Sequence, residues 1–383
     1  MTQERMHTET ILMPRAGARE TRSDTVWLAH LHLLAGLPYA PMTLAPALLD
    51  ALLSGFDADF AVFNWHGNTG DAEAPRAIYV QRMTAPVLEW IMRHHSSMNA
   101  MAPFEEQLRT DGENMRELVR DPAFLHSAVF RNSIEPLNGR WIMGVPLLSR
   151  EGACLGFVYL HRGPERGPFS DAEQQRLQRA RDRLWSLGSQ PAGWPKKLPR
   201  LAVRSALLHF DPRGHLRSCS AAAYDLLFAC RGGRVGNLAW TAGDISALPE
   251  PMGAQVRAML RSSSTPSSVV QSLEQADGAM LELRAERLLT QGGDPEVLVV
   301  ISQLEPADLA VARQLRDWPL TPREKQLVVA STRELSHREL AAEMGCTVGT
   351  LKGYVNALHA KLGVDSRDEL LNLLLERARQ GQH

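Results

Sequence analysis

The chain is poor in cysteine and has no excess of either charge. Its four cysteines, Cys154, Cys219, Cys230 and Cys346, are scattered through 383 residues without a CxxC pair. This spacing argues against a structural zinc site and against a disulfide framework, so we expect reduced thiols and a cytoplasmic location. With 42 Lys and Arg against 43 Asp and Glu, the formal net charge is −1. No overall basicity therefore points to nucleic acid.

Long apolar runs and catalytic signatures are also missing. No apolar stretch reaches the ~18 residues that a membrane-spanning helix needs, and residues 1–24 lack the apolar core of a signal peptide. We interpret 1–24 as a mobile leader and expect no membrane association. No GxxxxGKS/T, HExxH or GxSxG motif is present, so we predict no catalytic residue, no metal site and no cofactor. Adjacent His94 and His95 point about 100° apart on a helix, which favours an exposed helix end over a metal site.

The C-terminal segment has four helix starts within about fifty residues. A Ser or Thr followed three positions later by Glu can form a capping box, in which each residue satisfies an amide of the other. A lone Thr can cap a helix through its hydroxyl. The starts are Thr321 with Glu324 (Pro322 between them at the first helical position), Ser336 with Glu339, Thr347 alone, and Ser366 with Glu369. Four short helices are therefore predicted.

The second and third of these helices have the spacing of a helix-turn-helix. Gly345 can adopt the left-handed conformation that ends a helix. The third helix then carries an apolar stripe of Leu351, Val355, Leu358 and Leu362. Its opposite face consists of Gly349, Gly353, Asn356 and Ala360, with Lys352 beside them. That face is too polar for a core and has no catalytic pair, which favours a helix lying in the major groove of double-stranded DNA.

These residues resemble the LuxR-type (GerE-type) DNA-binding domain. The pattern LTPRE, LS..E.A, T.K and KLGV occurs almost intact over about 55–60 residues. The resemblance implies an all-α, four-helix domain at 319–383. Glu334 stands where the family usually has Gly, and Tyr354 stands where it usually has His. Neither position is expected to face the groove directly.

The resemblance and the helix geometry together assign DNA contacts. The base-contacting positions of the family fall on Lys352, Gly353 and Asn356, with Val348 beside them, so we predict base contacts from these four. Lys352 would donate to guanine and Asn356 would pair with adenine. Predicted phosphate contacts are Arg338, Thr350, Tyr354 and Lys361.

A homodimer on an inverted repeat is also expected. The last helix has more leucines than one face of a small bundle can bury, and dimers of the family use this helix. We predict dimerisation through Leu370, Leu371 and Leu374, with recognition helices about 34 Å apart. RNA polymerase is a further expected partner.

Residues 25–188 resemble a GAF domain of the kind found ahead of LuxR-type helices in bacterial regulators. The resemblance rests on a hairpin, WIMGVPLL (141–148), SREG and ACLGFVYLHR (153–162), followed by GPFS and a helix that opens on Ser170 and Glu173. It implies an α/β sensor with a cavity between sheet and helices for a small apolar or aromatic ligand. Aromatics expected around the cavity are Trp65, Trp90, Phe104 and Trp141; ordinary core packing is the alternative.

Residues 189–200 contain three prolines and are predicted to be a linker. Residues 201–304 have a strand, a turn DPRG, a strand, a helix and a late hairpin, an order that resembles a PAS domain. Residues 305–318 are predicted to form a joining helix, with Leu309, Ala312 and Leu315 on one side. The predicted fold is therefore multidomain: an α/β GAF-like sensor, an α/β PAS-like domain and an all-α LuxR-type domain.

The sequence thus predicts a bacterial transcription regulator that is controlled by a small ligand. The alternative is a constitutive dimeric signalling or scaffold protein without a ligand, whose tail packs on its own sensors and reads no DNA. An enzyme on the GAF-like fold is a remote third hypothesis. Residues 319–383 have nine Lys and Arg against eight Asp and Glu, a net charge of only +1. Arg338, Lys352 and Lys361 are therefore expected to supply much of the phosphate attraction, with modest non-specific affinity.

Overall fold

The computed structural model describes residues 22–65, 77–81, 119–127, 130–135, 138–149, 152–184, 187, 200–230, 245–261, 266–274, 280–288, 293–333 and 335–380. Within these ranges the chain is a multidomain α/β protein with two antiparallel sheets. No helix in the described ranges is both long and apolar enough to cross a bilayer. The predicted helix at 86–95 with His94 and His95, and the residues Trp90, Phe104 and Glu334, lie outside them.

The first sheet has four strands in the order β2-β1-β4-β3. Its unit consists of α1 (Arg22–Ala35), α2 (Pro41–Leu53), β1 (Phe60–Trp65), β2 (Ala77–Gln81), α3 (Pro122–Leu125), β3 (Trp141–Leu148), β4 (Cys154–Arg162) and α4 (Asp171–Arg181). The predicted hairpin is confirmed by antiparallel pairing of β3 with β4. The predicted capping box of Ser170 and Glu173 opens α4.

Two boundaries in this unit differ from the prediction. The first helix takes in residues 22–24 of the predicted leader, because Trp27, Leu28, Leu31 and Leu34 form a buried stripe that extends the helix at its start. Asp24 is tied down by ion pairs to Arg176 (2.7 Å) and Arg179 (3.8 Å). The spacing of Leu177, Ala180, Leu184 and Leu187 predicts one helical stripe, but the fourth helix ends at Arg181, before Leu184 and Leu187. Both leucines are nevertheless buried in the same core.

The second sheet has five antiparallel strands in the order β6-β5-β9-β8-β7. Its unit consists of β5 (Arg200–Phe210), β6 (Leu216–Cys219), α5 (Ala223–Cys230), α6 (Met252–Arg261), β7 (Ser268–Glu274), β8 (Met280–Leu288) and β9 (Glu296–Pro306). The predicted DPRG turn is present, with Gly214 at φ +84°. Helix α6 and strand β7 lie in a stretch for which the sequence predicted no element. Strand β5 begins at Arg200, which was predicted to belong to the linker.

The C-terminal part is entirely helical. It consists of α7 (Ala307–Gln314), a 3-10 turn (Leu315–Asp317), α8 (Pro322–Ser331), α9 (His337–Glu343), α10 (Val348–Leu362) and α11 (Arg367–Gln380). The predicted capping boxes open α8 and α9, and Thr347 caps α10. The fourth start differs in one bond. Ser366 accepts from the amide of Glu369, but the Glu369 carboxylate accepts from Asp365 rather than from Ser366.

The predicted joining helix, α7, lies at the centre of the molecule. Leu309, Ala312 and Leu315 are all buried, as predicted. Helix α7 packs against α1, α2, α8 and α11 and against strands β5 and β9. One hydrophobic core therefore runs from the first sheet through α7 into α8–α11, while the second sheet forms a separate core with α5 and α6.

A buried carboxylate joins three parts of the chain at α7. Asp308 is fully buried. Its Oδ1 accepts from the hydroxyl of Tyr39, which precedes α2, at 2.6 Å. Its Oδ2 accepts from Nε of Arg333, which follows α8, at 2.9 Å. The Arg333 guanidinium also donates to Glu343 at the end of α9, at 2.8 Å. The first unit and the helical tail are thus held by the two oxygens of one side chain.

We expect Tyr39→Phe to lower the free energy of unfolding of the full chain by roughly 1.5–3 kcal/mol, because it removes a hydrogen bond to a charged group. The measurement is urea denaturation at neutral pH. Tyr354→Phe is the matched control, since that side chain is 39% exposed and its hydroxyl has no hydrogen-bond partner among the described residues. Equal effects of the two substitutions would contradict a stabilising role for the Tyr39–Asp308 bond.

Stability should also fall in acid through His161 on β4. Its imidazole stacks on Phe60 at 4.4 Å between ring centroids, and its Nδ1 is buried without a hydrogen-bond partner. Burial lowers the pKa of His161 to about 3. The folded chain therefore keeps this ring neutral, whereas the unfolded chain takes up a proton below its ordinary pKa near 6.5.

His161 should thus remove about 2 kcal/mol of stability between pH 7 and pH 5. The measurement is the change in unfolding free energy over this range, which His161→Phe should reduce by that amount. Leu207→Phe, which adds a phenylalanine at an exposed position of β5 and removes no titratable group, serves as the control and should leave the pH dependence unchanged. An unaltered slope in His161→Phe would show that the ring is not held neutral.

Candidate nucleic-acid interface

Helices α9 and α10 form a helix-turn-helix whose turn follows from one glycine. Gly345 has φ +60°, the left-handed conformation that the sequence predicted, and lies directly after the buried Met344. Leu340 and Ala341 of α9 are buried against α10. The predicted apolar stripe of α10 faces the core: Leu351 and Leu358 are buried, and Val355 and Leu362 are half-buried against the same cluster.

The opposite face of α10 is open to solvent. Gly349, Lys352, Gly353, Asn356 and Ala360 are all exposed. A Cβ atom added at Gly353 would meet nothing within 4 Å, and one at Gly349 would meet only the Thr347 hydroxyl at 3.8 Å. Packing within the chain therefore does not require glycine at either position, although glycine inside a helix costs about 0.8–1 kcal/mol relative to alanine.

Most cations of the tail are already engaged within the chain. Arg333 binds Asp308 and Glu343, Arg367 donates to the carbonyls of Ser331 and Arg333, and the Arg377 guanidinium lies over the Trp318 ring. By contrast, Arg338 on α9 and Lys352 on α10 are exposed and form no ion pair with any described residue. Among the described tail residues, these two predicted DNA contacts therefore carry positive charge that no ion pair neutralises, and Lys352 lies on the exposed face of α10.

The other predicted phosphate contacts have partners in the chain. Lys361 Nζ lies 2.8 Å from the Glu324 carboxylate. This hydrogen bond is the main cause that lowers the pKa of Glu324. The hydroxyl of Thr350 lies 2.9 Å from that of Thr347. Tyr354 lies under the guanidinium of Arg323, 5.3 Å from its ring centroid.

Arg323 was not predicted as a site residue. Its Nη2 donates to the carbonyl of Met344 at 2.8 Å, which joins the start of α8 to the turn before α10. Together with its position over Tyr354, this places a cation at the flank of the exposed face. No sequence signal points to this role beyond the arginine in LTPRE, because the partners of Arg323 come from two later segments. Val348, the fourth predicted base contact, is 38% exposed in the first turn of α10.

The residues predicted for dimerisation lie mostly inside the chain. Leu370 and Leu374 are only 1% and 2% exposed, and Leu371 is half-buried. Helix α11 packs against α7 and β5 of the same chain. Leucines that the sequence assigns to a dimer interface are therefore buried within the chain. In this conformation Leu370 and Leu374 cannot contact a second copy.

The two described aromatics of the predicted ligand pocket lie at opposite ends of the first sheet. Trp65 pairs with Gly156 at the start of β4, and Trp141 pairs with Arg162 at its end. Six residues of strand separate these positions by about 20 Å. Trp65 is stacked on Phe63, and Trp141 lies under the Arg140 guanidinium. The structure therefore does not bring these two rings together.

Comparisons with known proteins give no family assignment. No family model matches the chain, and no curated protein sequence matches it. Among solved structures, the Vibrio cholerae VqmA dimer without target DNA, described with reference to LuxR-type receptors, is 20% identical over 48% of this chain and 84% of that chain, with a TM-score of 0.19. The Vibrio cholerae VqmA–ligand–DNA complex is 19% identical over 48% of this chain and 84% of that chain, with a TM-score of 0.22. The sensor region of a sensor histidine kinase is 18% identical over 42% of this chain and 63% of that chain, with a TM-score of 0.19. TM-scores this low carry no argument about fold or function.

Substitution at Gly353 should affect folding and DNA binding in opposite directions. Gly353→Gln should raise the free energy of unfolding by roughly 0.5–1 kcal/mol, because the position is open and glycine is the poorer helix former. The same side chain would hold α10 away from base edges and should weaken binding at least tenfold. Urea denaturation and titration of duplex DNA, recovered by binding-site selection with the full chain, measure the two effects.

Ala342→Gln is the matched control for Gly353→Gln, since it adds the same side chain at an exposed position of α9 away from the predicted base contacts. It should leave affinity nearly unchanged. If Gly353→Gln binds DNA as tightly as the parent chain, close approach through this glycine is excluded.

Proposed function

We propose that the chain is a cytoplasmic, LuxR-type transcription regulator without enzymatic activity, in which α8–α11 read DNA and the preceding GAF-like and PAS-like units control them. The observation that carries this proposal is the exposed face of α10. This face carries Lys352, Asn356 and two glycines, Gly349 and Gly353, whose Cα atoms have free space around them. The opposite face of the helix is buried in the core. Such a face can enter a major groove deeply and still place an amine and an amide at base edges.

The alternative, a signalling or scaffold protein that reads no DNA, also has support. The tail packs on the first unit through α7 and α8 and on the second sheet through α7 and α11, as a purely structural domain would. This packing buries most of α8 and the Leu370 and Leu374 side chains of α11, but it leaves the face of α10 that carries Lys352 in solvent. We therefore favour DNA binding, with salt-dependent affinity as its signature.

The proposed regulator binds an inverted repeat as a homodimer and then contacts RNA polymerase. Dimerisation through Leu370 and Leu374 would require α11 to leave α7 and β5. A small ligand would control the reader by favouring one of these two arrangements, and can do so only by its difference in affinity for them. An apolar or aromatic ligand in the GAF-like unit is one candidate for this role.

Lys352 and Lys361 should behave differently when replaced by alanine. Lys352→Ala should cost roughly 1–3 kcal/mol of binding and relax specificity at one or two base pairs, because its amine reads a base edge. Asn356→Ala should do the same at a neighbouring base pair. Lys361→Ala should weaken all sequences alike, and only slightly, because Glu324 already neutralises this amine.

The measurement is an affinity matrix of these full-length variants against single-base changes in the selected DNA. Glu324→Gln is the matched control: glutamine preserves the capping box and releases Lys361, so the salt slope should steepen by about one. A uniform loss of equal size for Lys352→Ala and Lys361→Ala would refute the assignment of reader and phosphate contact. No salt-dependent binding to any selected duplex would favour the scaffold alternative.

A further inference from the structure

A cleft of about 90 Å³ lies between α1 and α8, where the first unit meets the tail. Its walls are mostly apolar and include Leu33, Leu320 and Pro322. Four nitrogen-bearing side chains also line it, His30 and His32 from α1 and Lys325 and Gln326 from α8. His32 and Gln326 are exposed, whereas His30 and Lys325 are buried. The cleft thus combines an apolar lining with one buried basic group from each side of the junction.

The ammonium of Lys325 is buried without a counter-ion. The side chain is 6% exposed, and its Nζ donates to the carbonyl of Arg316 at 2.8 Å. No described carboxylate lies within ion-pair distance of it. The carboxylate of Asp317 acts on it only from further away and is itself bound by the Arg316 guanidinium at 2.8 Å. Burial lowers the pKa of Lys325, and two of the three N–H donors of the ammonium form no bond to any residue that the structure describes.

His30 is a second unsatisfied group at the same place. It is 3% exposed, and its Nδ1 is buried without a hydrogen-bond partner. The charged groups that act on it are Lys325 and Arg316, both positive, and Asp317. Burial first, and then the two cations, lower the pKa of His30 to about 4, so the ring is neutral. A buried ring nitrogen and a buried ammonium that both need partners make this junction costly unless an anion joins them.

We propose that this cleft binds a short-chain monocarboxylate, whose carboxylate accepts hydrogen bonds from Lys325 and His30 and whose alkyl chain lies against Leu33, Leu320 and Pro322. The charge follows from the unpaired ammonium and the alkyl chain follows from the apolar walls. The size follows from the volume. A cavity of about 150 Å³ takes benzene, so about 90 Å³ takes about four or five heavy atoms, as in acetate or propionate.

Such a ligand would join the first unit to the tail. It would bind both walls only while α1 and α8 are in contact, so it would stabilise the docked arrangement of the tail. On the proposed function, which this step assumes, the ligand would thereby control DNA binding. The site itself does not depend on DNA binding and can be tested without it.

The test is thermal unfolding of the full chain in sodium propionate, in sodium chloride at matched ionic strength and in propionamide. Propionate should raise Tm by about 2 °C at tenfold excess over Kd, and the rise should grow with the logarithm of its concentration above Kd, with Kd roughly in the millimolar range. Propionamide has the same shape without the charge and should give no rise. An equal response to propionate and chloride, or to propionate and propionamide, would overturn the proposal.

Two variants locate the effect. Lys325→Met should raise the Tm of the ligand-free chain, because it removes an uncompensated buried charge, and should abolish the response to propionate. Lys352→Met removes a tail cation elsewhere and should retain that response. If Lys325→Met does not fold, His30→Leu provides the same comparison and should weaken propionate binding at least tenfold. An unchanged propionate response in either folded cleft variant would also overturn the proposal.

A DNA titration with and without propionate separates the two proposals. Loss of DNA binding under all conditions, together with a propionate response that depends on Lys325, would refute the regulator and support the site. DNA binding without any propionate response would refute the site and leave the regulator standing.

Discussion

The arrangement of this chain depends on the buried carboxylate of Asp308. Its oxygens accept from Tyr39 and Arg333, and Oδ1 accepts also from the amide of Leu309 at 2.8 Å. A carboxylate with no exposed surface is tolerated only while such donors surround it, and removal of a partner leaves an uncompensated buried charge. Separation of the tail from the first unit would therefore expose the Asp308 carboxylate to water or leave it buried without one of its donors. That constraint makes the docked arrangement a distinct state rather than one of many loose orientations.

A second ion network on the same helix explains why α7 joins all three parts. The Arg313 guanidinium donates to Glu305 at the end of β9 at 2.7 Å and lies 3.5 Å from Asp50 of α2. Burial raises the pKa of Glu305 to about 7, while Arg313 acts to lower it. Since Glu305 belongs to the second sheet and Asp50 to the first unit, a displacement of α7 would disturb contacts in both. The short helix α7 is thus the element that connects both sheet units to α8–α11.

Local features of this fold could be predicted from the sequence, whereas its junctions could not. The caps of α8, α9 and α10, the left-handed Gly345 and the stripe from Leu351 to Leu362 depend on residues a few positions apart, so short-range rules find them. The partners of Asp308 lie 269 and 25 residues away, and nothing in either segment points to the other. For the same reason the sequence predicts α7 only as a joining helix, and it does not predict the cleft at His30 and Lys325. The missed helix α6 is different, because Met252, Val256 and Met259 repeat at helical spacing and could have been recognised.

The docked arrangement of the tail also limits dimerisation through the leucines of α11. Leu370 and Leu374 are buried against the chain itself, so intramolecular docking and a dimer through these residues compete for one surface. To move such an equilibrium from 1:99 to 99:1, a ligand must prefer one state by about 10⁴-fold. If the chain binds an inverted repeat as proposed, two half-sites on one duplex supply that preference, because each copy then gains the contacts of α10 only when both half-sites are correctly spaced. Anything that stabilises the docked tail opposes this gain by the same free energy. Operator occupancy would then depend on the strength of the α7–α11 junction as much as on the base contacts of α10.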